Sequence, residues 1–150
     1  MVIDRAIFLD IDGVLVLASS LLQSRKLWFN HTACPFVKDC VDVLNRIIEI
    51  TDAEIVLTSS WRLEYDWKVI GEIFAFNGVK KEPIAMTENF GFWIRSKEIE
   101  HFLRENKVIQ FVILDDTKIF NFDEHFIQIN PNKGLTKRRI KRILQILKCD

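Results

Sequence analysis

Four short apolar runs, each followed by polar residues, constrain the fold of this chain more than any other feature. The runs cover residues 6–9, 55–57, 111–114 and 126–129, the last with one Gln inside it. Apolar residues in continuous rather than alternating order predict strands that are buried on both faces, as in a parallel sheet. We therefore expect a sheet that is covered by helices on both sides.

Helical patterns separate these runs. Apolar residues at positions 37, 41, 44 and 48 are spaced by four, three and four residues, as on one face of a helix. Further helices are predicted over residues 67–74, ending at Asn77-Gly78, over 99–103, and over 140–147 with Thr136 as the N-cap. The alternation of strands and helices predicts a single three-layer α/β domain over residues 1–150, with a mostly parallel sheet.

Charge is balanced overall but not along the chain. The sequence has 21 basic and 21 acidic residues, so its bulk charge gives no argument for nucleic-acid binding. Residues 133–148 nevertheless contain seven cations and no acid, namely Lys133, Lys137, Arg138, Arg139, Lys141, Arg142 and Lys148. This segment is interpreted either as the solvated face of a helix or as a surface that binds a polyanion such as nucleic acid.

The cysteines and the lengths of the apolar runs indicate the compartment. Cys34, Cys40 and Cys149 have no CxxC spacing and an odd count, which favours reduced thiols in a cytoplasmic protein. Cys40 falls on an apolar helical stripe and is expected in the core. Membrane association is not expected, because no apolar run reaches the roughly 18 residues that a membrane span needs.

Polar residues follow three of the predicted strands. Asp10 and Asp12 follow the first, Ser59 and Ser60 follow the second, and Asp115-Asp116 follows the third. Ligands of open α/β sheets bind beyond the carboxyl ends of the strands, so these groups should meet at one edge. Four crowded carboxylates are costly without a cation, and their hard oxygen ligands suit Mg²⁺. Magnesium in turn suits phosphate chemistry, because it offsets charge on the transferring group.

The two aspartates of the DxD pair can take separate roles. One carboxylate can attack phosphorus and form an acyl phosphate, while the other protonates the leaving oxygen and later activates water. Gly13, which follows them, lets the backbone turn sharply close to a ligand. A DxD pair by itself is also compatible with an ordinary solvated turn.

Three segments resemble, in the expected order, signatures of the haloacid dehalogenase-like (HAD) superfamily. They are residues 8–15 (FLDIDGVL), 55–60 (IVLTSS) and 112–116 (VILDD). The resemblance implies a Rossmann-like fold in which Asp10 is the nucleophile and a Mg²⁺ ligand. It further implies that Asp12 is the general acid and base and a ligand through its carbonyl, and that Asp115 and Asp116 complete the metal site. Residues 15–35 would then form only a short cap or flap.

The remaining signatures leave alternatives open. Thr58, Ser59 and Ser60 all carry hydroxyls that could hold the phosphoryl group; Ser59 is favoured, with Ser60 beside it. The family's cationic residue is Lys97, the weakly favoured catalytic candidate, or Arg95, which is otherwise expected to bind substrate, with Lys118 as a more distant third candidate. Arg62 is expected to bind substrate or to pair with a local acid. Trp61 is expected in the core.

A narrower likeness concerns the substrate. Residues 59–62 (SSWR), 95–102, 113–116 and 134–136 (GLT) look like small bacterial HAD domains, some of which act in RNA-repair systems. The likeness implies a phosphatase acting on a phosphomonoester, such as a nucleotide or a nucleic-acid end. The alternatives are a non-catalytic module that only binds phosphate, and phosphoryl transfer to an acceptor other than water. The sequence does not indicate an oligomeric state.

Overall fold

The computed structural model describes residues 1–19, 36–91 and 94–149 and has a five-stranded sheet at its centre. All strand pairs are parallel, and the strand order is β3-β2-β1-β4-β5. The strands are β1 (Val2–Leu9), β2 (Glu54–Leu57), β3 (Ala85–Met86), β4 (Lys107–Asp115) and β5 (Phe126–Gln128). The parallel α/β architecture expected from the continuous apolar runs is confirmed.

Helices cover both faces of this sheet. They are α1 (Lys38–Thr51), α2 (Trp61–Glu64), α3 (Trp67–Phe76), α4 (Arg95–Glu105) and α5 (Ile140–Ile146), the last preceded by a 3₁₀ turn over Lys137–Arg139. The larger apolar cluster joins one sheet face, including Ile7 and Leu9, to α1, α3 and α5. The smaller cluster joins the other face, including Phe8, to α4. Alternate residues of β1 therefore serve opposite layers, which explains why its apolar run is continuous.

Most of the predicted elements are present. Each of the four apolar runs overlaps a strand. Helix α3 ends at Phe76 and is followed by Gly78 at φ +76°, a conformation that glycine adopts without strain. The two-residue strand β3 was not predicted, because it is too short to carry a pattern. Thr136 has the extended backbone of an N-cap ahead of the 3₁₀ turn, but its side chain makes no capping hydrogen bond.

The predicted flap over residues 15–35 is only partly within the described chain. Leu15 and Val16 are buried in the larger cluster, because their side chains complete the layer that α1 covers. These two residues therefore belong to the core, and the flap over this segment stays a prediction. Residues 20–35, with Cys34, lie outside the described residues. Cys40 is buried in the core as expected.

The described helices are all too short or too polar to cross a bilayer.

Candidate active site

The register of the three central strands brings the predicted site residues to one edge. Leu9 of β1 is aligned with Leu57 of β2 on one side and with Leu114 of β4 on the other. The next residue on each strand is therefore Asp10, Thr58 or Asp115. Two backbone hydrogen bonds continue the ladder here, from the Asp10 amide to Leu114 (3.0 Å) and from the Thr58 amide to Leu9 (2.9 Å). The carboxyl ends of β1 and β4, with Asp10 and Asp115, are thus held side by side.

Three carboxylates converge at this edge. Asp10, Asp115 and Asp116 each offer an oxygen, and these oxygens all lie within 4.8 Å of one another. Asp10 is 4% exposed and Asp115 is fully buried, whereas Asp116 is half-buried. Burial, with the neighbouring charge of Asp115, raises the pKa of Asp10 well above its usual range. Burial also raises the pKa of Asp115. The cluster is therefore an unfavourable concentration of negative charge that a cation would relieve.

Arg95, the first residue of α4, supplies part of that positive charge. Its guanidinium lies 3.2 Å from Oδ2 of Asp10 and forms a second, closer ion pair with Asp115. Burial alone would lower the pKa of Arg95, but the two carboxylates outweigh it and raise that pKa above its ordinary value. The Asp10 carboxylate is held on its other side as well, since Oδ1 accepts a hydrogen bond from the Ile11 amide (2.9 Å).

Lys97 does not lie where the sequence prediction put it. Lys97 is exposed on α4 and does not line the cleft beside the carboxylates, whereas Arg95 does. The physical reason is helical geometry, because residues two apart are about 200° apart around a helix and cannot face the same site. The structure thus pairs Arg95 with the predicted nucleophile and directs Lys97 elsewhere.

Asp12 is separated from the three converging carboxylates. It is absent from the cluster found among the described residues, although it lines the same cleft. The indole N–H of Trp61 donates a hydrogen bond of 2.9 Å to Oδ1 of Asp12. Trp61 is buried as predicted, and its ring packs against Phe36 and Tyr65. A rigid aromatic side chain therefore holds one oxygen of Asp12.

The three hydroxyl candidates occupy different environments. Ser60 lines the cleft, whereas Thr58 and Ser59 are fully buried. The Ser59 hydroxyl accepts a hydrogen bond from the Trp61 amide (3.2 Å), which is a local turn at the start of α2. The Thr58 hydroxyl makes no hydrogen bond within the described chain. Ser60, rather than the favoured Ser59, is therefore the hydroxyl residue on the cleft wall.

Arg62 and Glu98 form a buried ion pair behind this loop. Their side chains are 6% and 4% exposed, and Nη2 of Arg62 lies 2.6 Å from Oε2 of Glu98. Nη1 of Arg62 also donates to the carbonyls of Thr58 and Ser59, at 2.7 Å each. Arg62 thus pairs with a local acid, one of the two roles expected for it, and ties the loop after β2 to α4.

Gly13 allows Asp116 to approach the backbone closely. The glycine has φ +80°, and a Cβ at this position would lie 2.6 Å from Oδ2 of Asp116. Any larger residue would therefore be strained in conformation and would also displace a carboxylate of the cluster. The glycine predicted as a sharp turn also has a packing role.

These groups open onto a cleft of about 710 Å³. Its described lining includes Asp10, Asp12, Ser60, Arg62, Arg95 and Asp116, together with apolar residues at the rim that include Leu63, Ile94 and Phe120. The same wall carries Lys118, whose ammonium lies 5.5 Å from the centre of the Phe120 ring. The cleft thus has an acidic floor and an apolar rim.

The carboxylate cluster suits a magnesium ion. Mg²⁺ binds oxygen ligands at about 2.1 Å in an octahedron, so its ligand oxygens lie about 3 to 4 Å apart. The oxygens of Asp10, Asp115 and Asp116 are within 4.8 Å of one another, so shifts of less than about 1 Å would bring them to that spacing. The raised pKa values of Asp10 and Asp115 also show that a second positive charge would stabilise the ionised carboxylates.

Two residues of the site were not singled out as functional from the sequence. Glu98 is one of several charged residues of α4, and only its contact with Arg62, 36 positions away, distinguishes it from the others. Trp61 was expected in the core, and its indole N–H contact with Asp12 spans 49 positions. The one available signal was the adjacency of Trp61 and Arg62 to the hydroxyl run.

Comparison with known protein families gave a match over most of the chain. A family model described as "HAD domain in Swiss Army Knife RNA repair proteins" matches residues 6–140. No curated protein and no solved structure matches the chain. The matched range includes the three clustered carboxylates, Asp12, Arg95 and the Arg62–Glu98 pair.

Proposed function

Because this chain belongs to the HAD domains of Swiss Army Knife RNA repair proteins, we propose that it is a magnesium-dependent phosphohydrolase that works through a phosphoaspartate on Asp10. HAD domains are generally hydrolytic. The observation that carries the proposal is the division of the acidic groups: Asp10, Asp115 and Asp116 converge, while Asp12 is held apart by Trp61. A site that only bound phosphate would have no use for a separately oriented carboxylate.

Asp10, Asp115 and Asp116 would hold the metal. A bound Mg²⁺ would offset the charge of these carboxylates and of the phosphoryl group. Arg95 contributes a fixed positive charge beside the nucleophile, and we assign to it the role that the sequence favoured for Lys97. Because the Arg95 charge opposes the effect of burial on the pKa of Asp10, it helps to keep that carboxylate ionised and nucleophilic.

The reaction proceeds in two steps. A carboxylate oxygen of Asp10 forms a bond to phosphorus as the bond to the leaving oxygen breaks, and Asp12 gives its proton to that leaving oxygen. In the second step Asp12 takes a proton from water, whose oxygen bonds to phosphorus as the aspartyl–phosphate bond breaks. Orthophosphate leaves, and both carboxylates return to their starting forms. Ser60 lines the cleft, and its hydroxyl would donate a hydrogen bond to the phosphoryl group.

The test uses 4-nitrophenyl phosphate with Mg²⁺ or with EDTA. Wild-type protein should release phosphate only with Mg²⁺, and Asp10→Asn should reduce turnover to that of buffer. Asp12→Asn should retain a burst of nitrophenolate stoichiometric with protein but lose about 10²- to 10⁴-fold in steady turnover, because this leaving group needs little acid assistance while the second step still needs a base.

The matched control is Asp39→Asn, which removes an exposed carboxylate of α1. It should turn over like wild type. Turnover by Asp10→Asn at the wild-type rate would exclude Asp10 as the nucleophile. Binding of orthophosphate by a wild-type protein with no hydrolysis across a broad panel of phosphomonoesters would instead indicate the non-catalytic phosphate-binding module.

A further inference from the structure

The C-terminal segment carries a positive surface whose charges have no partner in the described structure. We define the basic surface as Lys133, Lys137, Arg138, Arg139, Lys141, Arg142 and Lys148, all of which are exposed. None of them lies within ion-pairing distance of a described carboxylate. Several exposed cations elsewhere do have partners: Lys38 pairs with Asp42, Arg46 and Lys80 with Glu49, and Arg104 with Glu100.

The spacing of these cations increases their mutual repulsion. Lys137, Arg138 and Arg139 form the 3₁₀ turn, and Lys141 and Arg142 lie in the first turn of α5. Five cations thus fall within six residues, and like charges this close repel one another. The opposite side of α5 is buried in the core through Ile143 and Ile146. The 3₁₀ turn and the start of α5 thus present a continuous group of positive charges to solvent, and a bound polyanion would relieve their repulsion.

The basic surface begins beside the loop that follows Asp12. The amide of Leu135 donates to the carbonyl of Val14 (2.9 Å), two residues after Asp12, and the amide of Ala18 donates to the carbonyl of Pro131. The far end of the same segment lies toward the amino ends of the strands, where the Arg5 side chain of β1 donates to the carbonyl of Leu147. The cations therefore run from the neighbourhood of the cleft down the side of the domain.

We propose that the basic surface binds the phosphodiester backbone of a nucleic-acid strand whose phosphorylated end lies in the cleft. This inference rests on the proposed phosphohydrolase function and adds the class of substrate. The 3₁₀ turn and α5 together cover residues 137–146 and rise about 17 Å at about 2.0 and 1.5 Å per residue, a length that matches about five phosphates of a stacked strand. One ligand would then present phosphates to both the cleft and the basic surface.

Two other polyanionic partners fit the surface less well. A helix that binds a lipid surface exposes large apolar side chains next to its cations, whereas Ile143, Ile146 and Leu147 are buried here. An acidic protein would explain the charge of the basic surface but not its position beside a site built for phosphate. Arg138 and Arg142 also suit phosphate, because a guanidinium can grip two oxygens at once.

The test compares two variants with equal loss of charge. One is K137Q/R138Q/K141Q/R142Q, on the basic surface. The control is K38Q/K68Q/R104Q/K107Q, which removes four exposed cations from other faces. Binding of a 5′-labelled, 3′-phosphorylated 20-nucleotide RNA is measured by fluorescence anisotropy in EDTA at 50 to 200 mM salt, and 4-nitrophenyl phosphate turnover is measured in parallel with Mg²⁺.

The basic-surface variant should lose salt sensitivity. Four lost contacts with a single strand lower the slope of log K against log salt by about 2.8, so the wild-type affinity should fall about fifty-fold more than the variant's over that salt range. Both variants should turn over 4-nitrophenyl phosphate like wild type, and the control should keep the wild-type slope.

Each contrary result has a distinct meaning. Equal slopes for wild type and the basic-surface variant would overturn the inference, as would an equal loss in the control. Binding of vesicles containing phosphatidylserine but not of the RNA would overturn it in favour of a membrane. Failure of wild-type protein to hydrolyse any phosphomonoester would instead count against the proposed function, whatever the binding results.

Discussion

Glu98→Gln should be among the most destabilising conservative changes in this protein. The substitution removes the charge of Glu98 but keeps its size, and leaves the guanidinium of Arg62 buried without a counter-charge. Breaking a buried pair by removing one partner costs about 3–5 kcal/mol, because the remaining charge is still shielded from water. For a chain of this length each kcal/mol lowers the melting temperature by about 2–4 °C, which gives a loss of about 6–20 °C.

The same helix provides a matched control. Glu100 lies two residues further along α4 and faces Arg104 at 3.9 Å, with side chains 35% and 77% exposed. An exposed pair of this kind contributes about 0–1 kcal/mol, so Glu100→Gln should lower the melting temperature by no more than about 4 °C. The two variants make the same chemical change on one helix and differ only in burial and geometry.

The assay is thermal and urea denaturation in EDTA at neutral pH, followed by circular dichroism. Equal midpoints for Glu98→Gln and Glu100→Gln would refute the reasoning. A second variant, R62M/E98L, removes both charges and should recover part of the lost stability, because an apolar pair of similar volume has no desolvation cost. Recovery should be incomplete, since the carbonyls of Thr58 and Ser59 also lose their donor. A double variant less stable than Glu98→Gln would show that packing, rather than charge, controls this position.

Two further predictions concern the site. Trp61→Phe removes the donor to Asp12 while retaining an aromatic ring, and should lower kcat/KM for an alkyl phosphate about tenfold, affect an aryl phosphate less, and shift the pH profile of turnover. The control is Trp67→Phe, at an exposed position of α3. Equal effects of Trp61→Phe on both substrates would exclude a positioning role. Burial raises the folded-state pKa of Asp115. Without metal, the contribution of this carboxyl to the free energy of unfolding should therefore be fully present below its unfolded pKa of about 3.9 and be lost as pH rises through the raised value. Asp115→Asn should reduce that loss in melting curves recorded in EDTA across pH, and an unchanged pH dependence would contradict it.

The sheet and its acidic edge could be predicted because their signals are local. A strand buried on both faces shows a continuous apolar run, and the residue that follows the run is fixed at the carboxyl edge. Asp10 and Asp115 follow such runs directly, so knowing that the strands were parallel neighbours was enough to bring them together. No long-range packing information was needed for this step.

The choice between neighbouring residues could not be predicted in the same way. Whether Arg95 or Lys97 reaches Asp10 depends on where α4 begins and how it is rotated against the sheet, and the sequence constrains neither. The hydroxyl run has the same difficulty, because a shift of one position after β2 turns Ser60 instead of Ser59 toward the cleft. Glu98 was missed because its helix has many charges, and only tertiary contact selects the buried one.

The arginines of the cleft offset only part of the negative charge of the carboxylate cluster. Of the described cations on the cleft wall, Arg62 is neutralised by Glu98 and Arg95 by Asp10 and Asp115, which leaves Lys118 at the rim. Three clustered carboxylates against one arginine leave two negative charges when all are ionised, which a divalent ion would balance. A phosphate dianion then adds charge that the cleft itself can offset only weakly. For the phosphorylated strand proposed above, further binding energy would therefore come from cations beyond the cleft, which is where the unpaired charges of the basic surface lie.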